Sequence, residues 1–135
     1  MKASVMIIMG SKSDMQVMCG AEDVLREAGK GFETHVSSAH RSPDKTRDLI
    51  AQASERGIRV IIAGAGMSAA LPGFCASYTS LPVIGVPVSS GPLGGIDALL
   101  SIAQMPPGVP VATVAVNGAK NAAHLALRIL GLIVD

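Results

Sequence analysis

Five strand-length segments recur along the chain, each separated from the next by a stretch with helical spacing: Val5–Met9, Phe32–Val36, Ile58–Ala63, Pro82–Val88 and Val111–Val116. A strand that is followed by a helix and then by another strand returns to the sheet in parallel, through a right-handed crossover. Repeated alternation of this kind therefore predicts a parallel sheet with helices packed on it. The Val60-Ile61-Ile62 run marks a central strand buried on both faces. Phe32, Thr34 and Val36 alternate with Glu33, His35 and Ser37, which suits a strand with one polar face nearer the sheet's edge and makes His35 a solvated strand residue.

The helical stretches fill the gaps. Val17, Met18, Ala21, Val24, Leu25 and Ala28 keep helical spacing from about Asp14, and Gly29 and Gly31 end the pattern. A second helix opens with Ser42 as N-cap, Pro43 at the first helical position and Asp44 in the first turn, and Gly57 stops it. A short helix follows Leu71-Pro72-Gly73 and ends near Tyr78-Thr79, another spans about Ile96–Ala103, and a last one covers roughly Lys120–Leu130. His124 lies among apolar neighbours in that last helix and reads as a core or interface histidine. The three prolines in Met105–Pro110 exclude regular structure there. The expected architecture is α/β, a flavodoxin-like three-layer sandwich with a five-stranded parallel sheet in the order 2-1-3-4-5. It forms one domain over residues 1–135.

Composition limits what such a domain does. Only 16% of the residues are charged against a hydrophobic share of 49%, well below the usual charged share of roughly 25%, so part of the surface is expected to be hidden in a homo-oligomer. The final helix, apolar on several faces, is expected to supply that interface. A net charge of +1 without basic runs leaves no nucleic-acid footprint and no polybasic membrane patch. Cys19 and Cys75 lack CxxC or Cys/His spacing, which excludes a metal site built on them and leaves two small buried hydrophobes in a reducing compartment. With no apolar stretch near the roughly 18 residues of a membrane span and no signal-peptide layout, the expected location is the cytoplasm.

Function is expected at the carboxyl ends of the strands, where open α/β sheets bind their ligands. Gly10-Ser11-Lys12-Ser13-Asp14 follows the first strand and opens a helix, so its N–H groups and hydroxyls fit either an anionic ligand or a plain capped turn. His40-Arg41 precedes the second helix. An imidazole exchanges protons near neutral pH and a guanidinium grips phosphate through two N–H groups, although a solvated loop pair also fits. Gly64-Ala65-Gly66-Met67-Ser68-Ala69-Ala70 reads as a small-residue loop that lets a ligand approach the backbone, or as tight helix-to-strand packing. The order 2-1-3-4-5 sets the loops at Gly10 and Gly64 across one cleft, with His40-Arg41 at its rim.

These motifs, with Ser38-Ala39-His40-Arg41-Ser42-Pro43-Asp44, Leu71-Pro72-Gly73, Pro82–Val88, Ile102-Ala103-Gln104-Met105-Pro106 and Asn121-Ala122-Ala123, resemble the PurE family of de novo purine synthesis, in register over essentially the whole chain. The resemblance implies a homo-octamer, no metal and no organic cofactor. It implies a carboxyaminoimidazole ribonucleotide mutase, which moves a carboxylate from the exocyclic nitrogen to a ring carbon through carbon dioxide held in a closed pocket. His40 would carry the proton, Asp14 would hold the ribose hydroxyls and Arg41 the phosphate, with Ser11 a further substrate contact. Ser13 and Ser38 would add phosphate contacts, and the backbone of Ala65 and Gly66 would meet the ring and carboxylate.

Two departures point to the related class that carboxylates aminoimidazole ribonucleotide directly with carbon dioxide. Many mutases read Ala-Ala-His-Leu-Pro-Gly where this chain has Ala69-Ala70-Leu71-Pro72-Gly73, and the chain stops at Asp135 without a long helical extension. Arg41 and Pro43 are mutase-like, and the overall motif fit favours the mutase. A non-catalytic nucleotide-binding module on the same fold would use the same Gly/Ser loops without requiring His40.

Overall fold

The computed structural model describes residues 1–133; Val134 and Asp135, and with them the chain end singled out above, lie outside the described residues. Five parallel strands, β1 (Val5–Met9), β2 (Phe32–Val36), β3 (Val60–Gly66), β4 (Val83–Val88) and β5 (Ala112–Thr113), form one sheet in the order β2-β1-β3-β4-β5. Helices α1 (Met15–Glu27), α2 (Pro43–Ala51), α3 (Leu71–Ser77), α4 (Ile96–Ala103) and α5 (Ala119–Leu130) connect or follow them. This is the expected flavodoxin-like arrangement.

The two-residue period of the strands divides the core. Val5, Ile7, Met9, Val60, Ile62, Ile84 and Val86 face α1 and α5, where Met18, Ala21, Leu25 and the stripe Ala119, Ala122, Ala123 and Ala126 meet them. Met6, Ile8, Ile61, Ala63, Ala65 and Val83 face the other side, against Ile50 of α2, Leu71 and Cys75 of α3, and Ala98 and Ile102 of α4. Burial pushes the Cys75 thiol up to about 12, which suits an inert packing residue. Cys19, expected to be buried as well, is only partly covered.

Several boundaries differ from the expectation. Gly64-Ala65-Gly66 is not a loop but the end of β3, which starts at Val60 and pairs with β4 as far as Gly66 and Val88. Position β5 is cut to two residues because Pro87 has no N–H to offer on the edge side of β4. There Gly85 O accepts from Val114 N and Pro87 O accepts from Asn117 N, so two residues of β4 oppose three of the edge segment and the ladder breaks. Helix α2 ends at Ala51, and a separate 3₁₀ turn, Ser54–Arg56, reaches Gly57, whose φ of 94° ends the segment.

Side-chain readings are corrected too. His35 is half-buried and its Nε2 lies 3.1 Å from Glu33 Oε1, so it is a paired rather than a solvated residue. His124 projects off the alanine stripe of α5 and is exposed, so it is not a core residue of this chain. The apolar side chains Leu125, Leu127, Ile129 and Leu130 pack on the chain's own core, while large exposed apolar side chains include Leu132 just past α5 and Leu93, Ile96 and Leu100 around α4, on the other side of the sheet. No helix of the described residues is long and apolar enough to cross a membrane.

Candidate active site

A cavity of about 460 Å³ opens at the carboxyl ends of β1, β2, β3 and β4. All eight residues singled out in the sequence line it: Ser11, Ser13 and Asp14 after β1, Ser38, His40 and Arg41 after β2, and Ala65 and Gly66 at the end of β3. Gly10, Ala39, Met67, Ser68, Ala70, Leu71 and Ser90 complete the wall.

The first loop holds itself in shape. Ser11 N donates to Asp14 Oδ2 at 3.1 Å, and the Ser11 hydroxyl accepts from Ser13 N at 3.4 Å and lies 3.0 Å from the Ser13 hydroxyl. The pair forms a capping box over the 3₁₀ turn Lys12–Asp14 that leads into α1. Asp14 is 6% exposed, and burial pushes its carboxyl up while the Ser11 amide pulls it down less strongly. Among the described residues Asp14 Oδ1 takes no partner, which leaves an acceptor toward the cavity.

The second loop is tied by hydroxyls that the sequence reading assigned differently. Ser38 Oγ accepts from His40 N at 3.2 Å and from Arg41 N at 3.1 Å, holding the backbone of both residues. Ser42 occupies the N-cap of α2 without a side-chain cap bond, and buried Thr46 ties the turn instead, 2.6 Å from Ser37 Oγ and donating to Ser42 O at 2.8 Å. The side chains of His40 and Arg41 are exposed and make no hydrogen bond or ion pair among the described residues. They are free to meet a ligand.

At the third loop the strand register decides which backbone groups are available. Gly64 O accepts from Gly10 N, so the polar groups of Gly64 face β1. Backbone groups repeat every second residue, so those of Gly66 face the same side, where β1 has already turned away into Ser11. Gly66 is closely packed: a Cβ there would overlap Ser90 Oγ and lie 3.1 Å from Val88 O. Met67 follows with φ 54°. Ser90 and Met67 are two of the seven wall residues that the sequence reading did not assign as site residues. The signal was present for Ser90, which lies just past the carboxyl end of a central strand; nothing in the sequence marks the backbone of Met67. Among the described residues no three His, Cys, Asp or Glu side chains are grouped to hold a metal ion.

The AIR carboxylase family matches residues 4–134. A relative from Saccharolobus solfataricus named N5-carboxyaminoimidazole ribonucleotide mutase is 59% identical over 128 residues, covering 95% of this chain and 81% of its own length. A Saccharomyces cerevisiae relative named phosphoribosylaminoimidazole carboxylase is 56% identical over 130 residues, covering 96% of this chain and 23% of its own length. The crystal structure of Treponema denticola PurE superposes with a TM-score of 0.86 at 31% identity, over 96% of this chain and 81% of that one. A family match over nearly every residue, and relatives identical at more than half of the positions, show that the chain belongs to the AIR carboxylase (PurE) family.

Proposed function

We propose that the chain converts N5-carboxyaminoimidazole ribonucleotide into 4-carboxy-5-aminoimidazole ribonucleotide, a step of purine biosynthesis. The observation that carries the reading is the meeting of one unpartnered histidine and one unpartnered arginine with serine hydroxyls, a carboxylate and strand-end amides around a single cavity. The substrate is an anionic nucleotide with a carboxylate at one end. Arg41, Ser13 and the free hydroxyl hydrogen of Ser38 suit its phosphate, and Asp14 Oδ1 suits the ribose hydroxyls as an acceptor. Ser11 flanks them. The Gly66 amide suits the ring and carboxylate; the backbone of Ala65, expected to share that task, instead turns to β4 in the ladder that pairs it with Pro87, so Ala65 contributes only its small side chain to the wall.

The chemistry balances on one proton carrier. As the bond from the exocyclic nitrogen to the carboxyl carbon breaks, carbon dioxide leaves and that nitrogen takes a proton from the His40 imidazolium. The ring carbon then attacks the carbon dioxide, forms the new carbon–carbon bond and loses its hydrogen as a proton to His40. Nothing is consumed, and the imidazolium is restored. The pocket's part is to hold the ring and the small neutral molecule in contact.

Relatives named as mutases at 59% identity support this direction of reaction. A second reading, direct carboxylation of aminoimidazole ribonucleotide with carbon dioxide, is favoured by Ala70, which stands in the cavity wall where many mutases have histidine. One comparison separates them: product formation from N5-carboxyaminoimidazole ribonucleotide in bicarbonate-free buffer, and from aminoimidazole ribonucleotide with bicarbonate. The mutase reading expects the first to be much faster, and it fails if only the second gives product at low bicarbonate. The chains are further proposed to assemble as a homo-oligomer, an octamer by analogy with the family, through the exposed apolar face of Ile96 and Leu100. The cytoplasm is the proposed location.

A further inference from the structure

Met67 stands out in the cavity wall. Its φ of 54° is a left-handed backbone conformation that glycine adopts freely and that a long side chain rarely does. The turn is held there by short bonds, Ala69 N donating to Met67 O at 2.9 Å and Ala70 N to Ser68 O at 2.8 Å. A strained residue beside a ligand cavity persists only where the surroundings determine it, and the outlier invites the question of what its side chain does.

Met67 lines the cavity, and its side chain reaches the segment after β4. A Cβ built on Gly91 would lie 3.4 Å from Met67 Cγ and 3.6 Å from both its Sδ and Cε, so the whole thioether lies along that glycine. One residue earlier, Ser90 Oγ sits against the Cα of Gly66. The Ser89–Gly95 segment is therefore seated on the end of β3 at two adjacent points, one polar and one apolar. Its ends are held separately, Ser89 N donating to Asn117 Oδ1 at 2.9 Å and Gly95 packing on Val116, and Gly91, Gly94 and Gly95 all have positive φ. Met67 is nonetheless 53% exposed, so burial in the chain's own core does not explain the side chain.

We infer that Met67 is a positioning residue that clasps the Ser90–Gly91 segment over the cavity and keeps released carbon dioxide beside the ring until it is recaptured. The inference rests on the reaction proposed above. A thioether fits the role because it is flexible and apolar: it fills an irregular gap and brings no group that competes for a neutral, weakly bound molecule.

The test follows the origin of the product carboxylate. Wild type, Met67→Gly and Met67→Ala are each given unlabelled N5-carboxyaminoimidazole ribonucleotide in buffer containing a low concentration of isotopically labelled bicarbonate. Mass spectrometry then reads the label in the ring-carboxylated product, corrected for spontaneous decarboxylation of the substrate. A sealed pocket returns the substrate's own carboxyl group; a leaking one exchanges with solution. Both variants are expected to raise label incorporation by about threefold or more, with KM for the nucleotide little changed. Met67→Gly relaxes the backbone and is expected to melt at or above the wild-type temperature, so a folding defect in Met67→Ala would leave the measurement intact. Incorporation equal to wild type in both variants overturns the inference. A rise in Met67→Gly alone, with Met67→Ala folded and unchanged, also overturns it, because the effect would then belong to backbone freedom. If the wild type makes no ring-carboxylated product from this substrate without bicarbonate, the reaction assignment itself has failed, which is a different result.

Discussion

Gly66→Ala measures how closely β3 and the segment after β4 meet at the floor of the cavity. The new Cβ would occupy the place of Ser90 Oγ and lie 3.2 Å from Ser90 Cβ and 3.1 Å from Val88 O. Rotation of Ser90 relieves the first overlap. The other two involve the Val88 carbonyl and the Ser90 Cβ, which side-chain rotation does not move, so the end of β3 must move away by a few tenths of an ångström. Overpacking of this kind costs about 1–3 kcal/mol. Restricting the unfolded chain returns about 0.4–1 kcal/mol, since Gly66 has a backbone that alanine can adopt. At the midpoints of these two ranges the net loss is about 1.3 kcal/mol, or roughly 4 to 6 °C in Tm for a domain of this size. Because the Gly66 amide faces the cavity, kcat/KM should fall by about tenfold or more. Thermal melts and steady-state assays of Gly66→Ala and of Gly66→Ala/Ser90→Gly test the reasoning. The double variant removes two of the three close neighbours and should recover more than half of the lost stability. A single variant that melts within about 1 °C of wild type would refute the seating of Ser90 on Gly66.

The other predictions concern roles and assembly. His40→Asn keeps a polar side chain but carries no proton, so kcat should drop about a hundredfold or more while ligand affinity measured by calorimetry barely moves; wild-type turnover would place the proton carrier elsewhere. Arg41→Ala should do the opposite, weakening substrate binding roughly ten- to hundredfold with Arg41→Lys recovering only part; unchanged affinity would remove Arg41 from the phosphate. Light scattering should give a mass larger than a dimer, lowered by Ile96→Glu, and a concentration-independent monomer would refute assembly through α4.

The central strands and the site loops were legible in the sequence for one physical reason: both are local signals. A continuous run such as Val60-Ile61-Ile62 records burial on two faces, and a Gly/Ser/Asp cluster records a turn. Features set by a neighbour were not legible. Gly64-Ala65-Gly66 has loop composition, yet Val86 and Val88 pair with it and make it strand. The length of β5 depends on Pro87, which belongs to a different segment. His124 illustrates a signal that was present and outweighed. Ala119, Ala122, Ala123 and Ala126 mark the buried stripe at i, i+3, i+4 and i+7, and His124 lies off it, but apolar neighbours in sequence pointed inward. Met67 gave no signal at all, since a left-handed backbone at a methionine is dictated by the turn around it.

The division of labour in the second loop decides which substitutions are informative. Ser38 has two tasks, because the hydroxyl that faces the cavity also accepts the N–H groups of His40 and Arg41. Asp14 is similar, with Oδ2 closing the capping box on Ser11 and Oδ1 left toward the ligand. Replacing either would remove a ligand contact and release a loop together, and the kinetic loss could not be apportioned between them. His40 and Arg41 are different: their backbones are held by Ser38 while their side chains make no hydrogen bond among the described residues. The loop is thus shaped before any ligand arrives, by groups other than those that would react, so the entropy of ordering it is already met by folding. Side-chain changes at positions 40 and 41 should therefore leave the loop in place and report on the proton transfer and phosphate binding proposed for them alone.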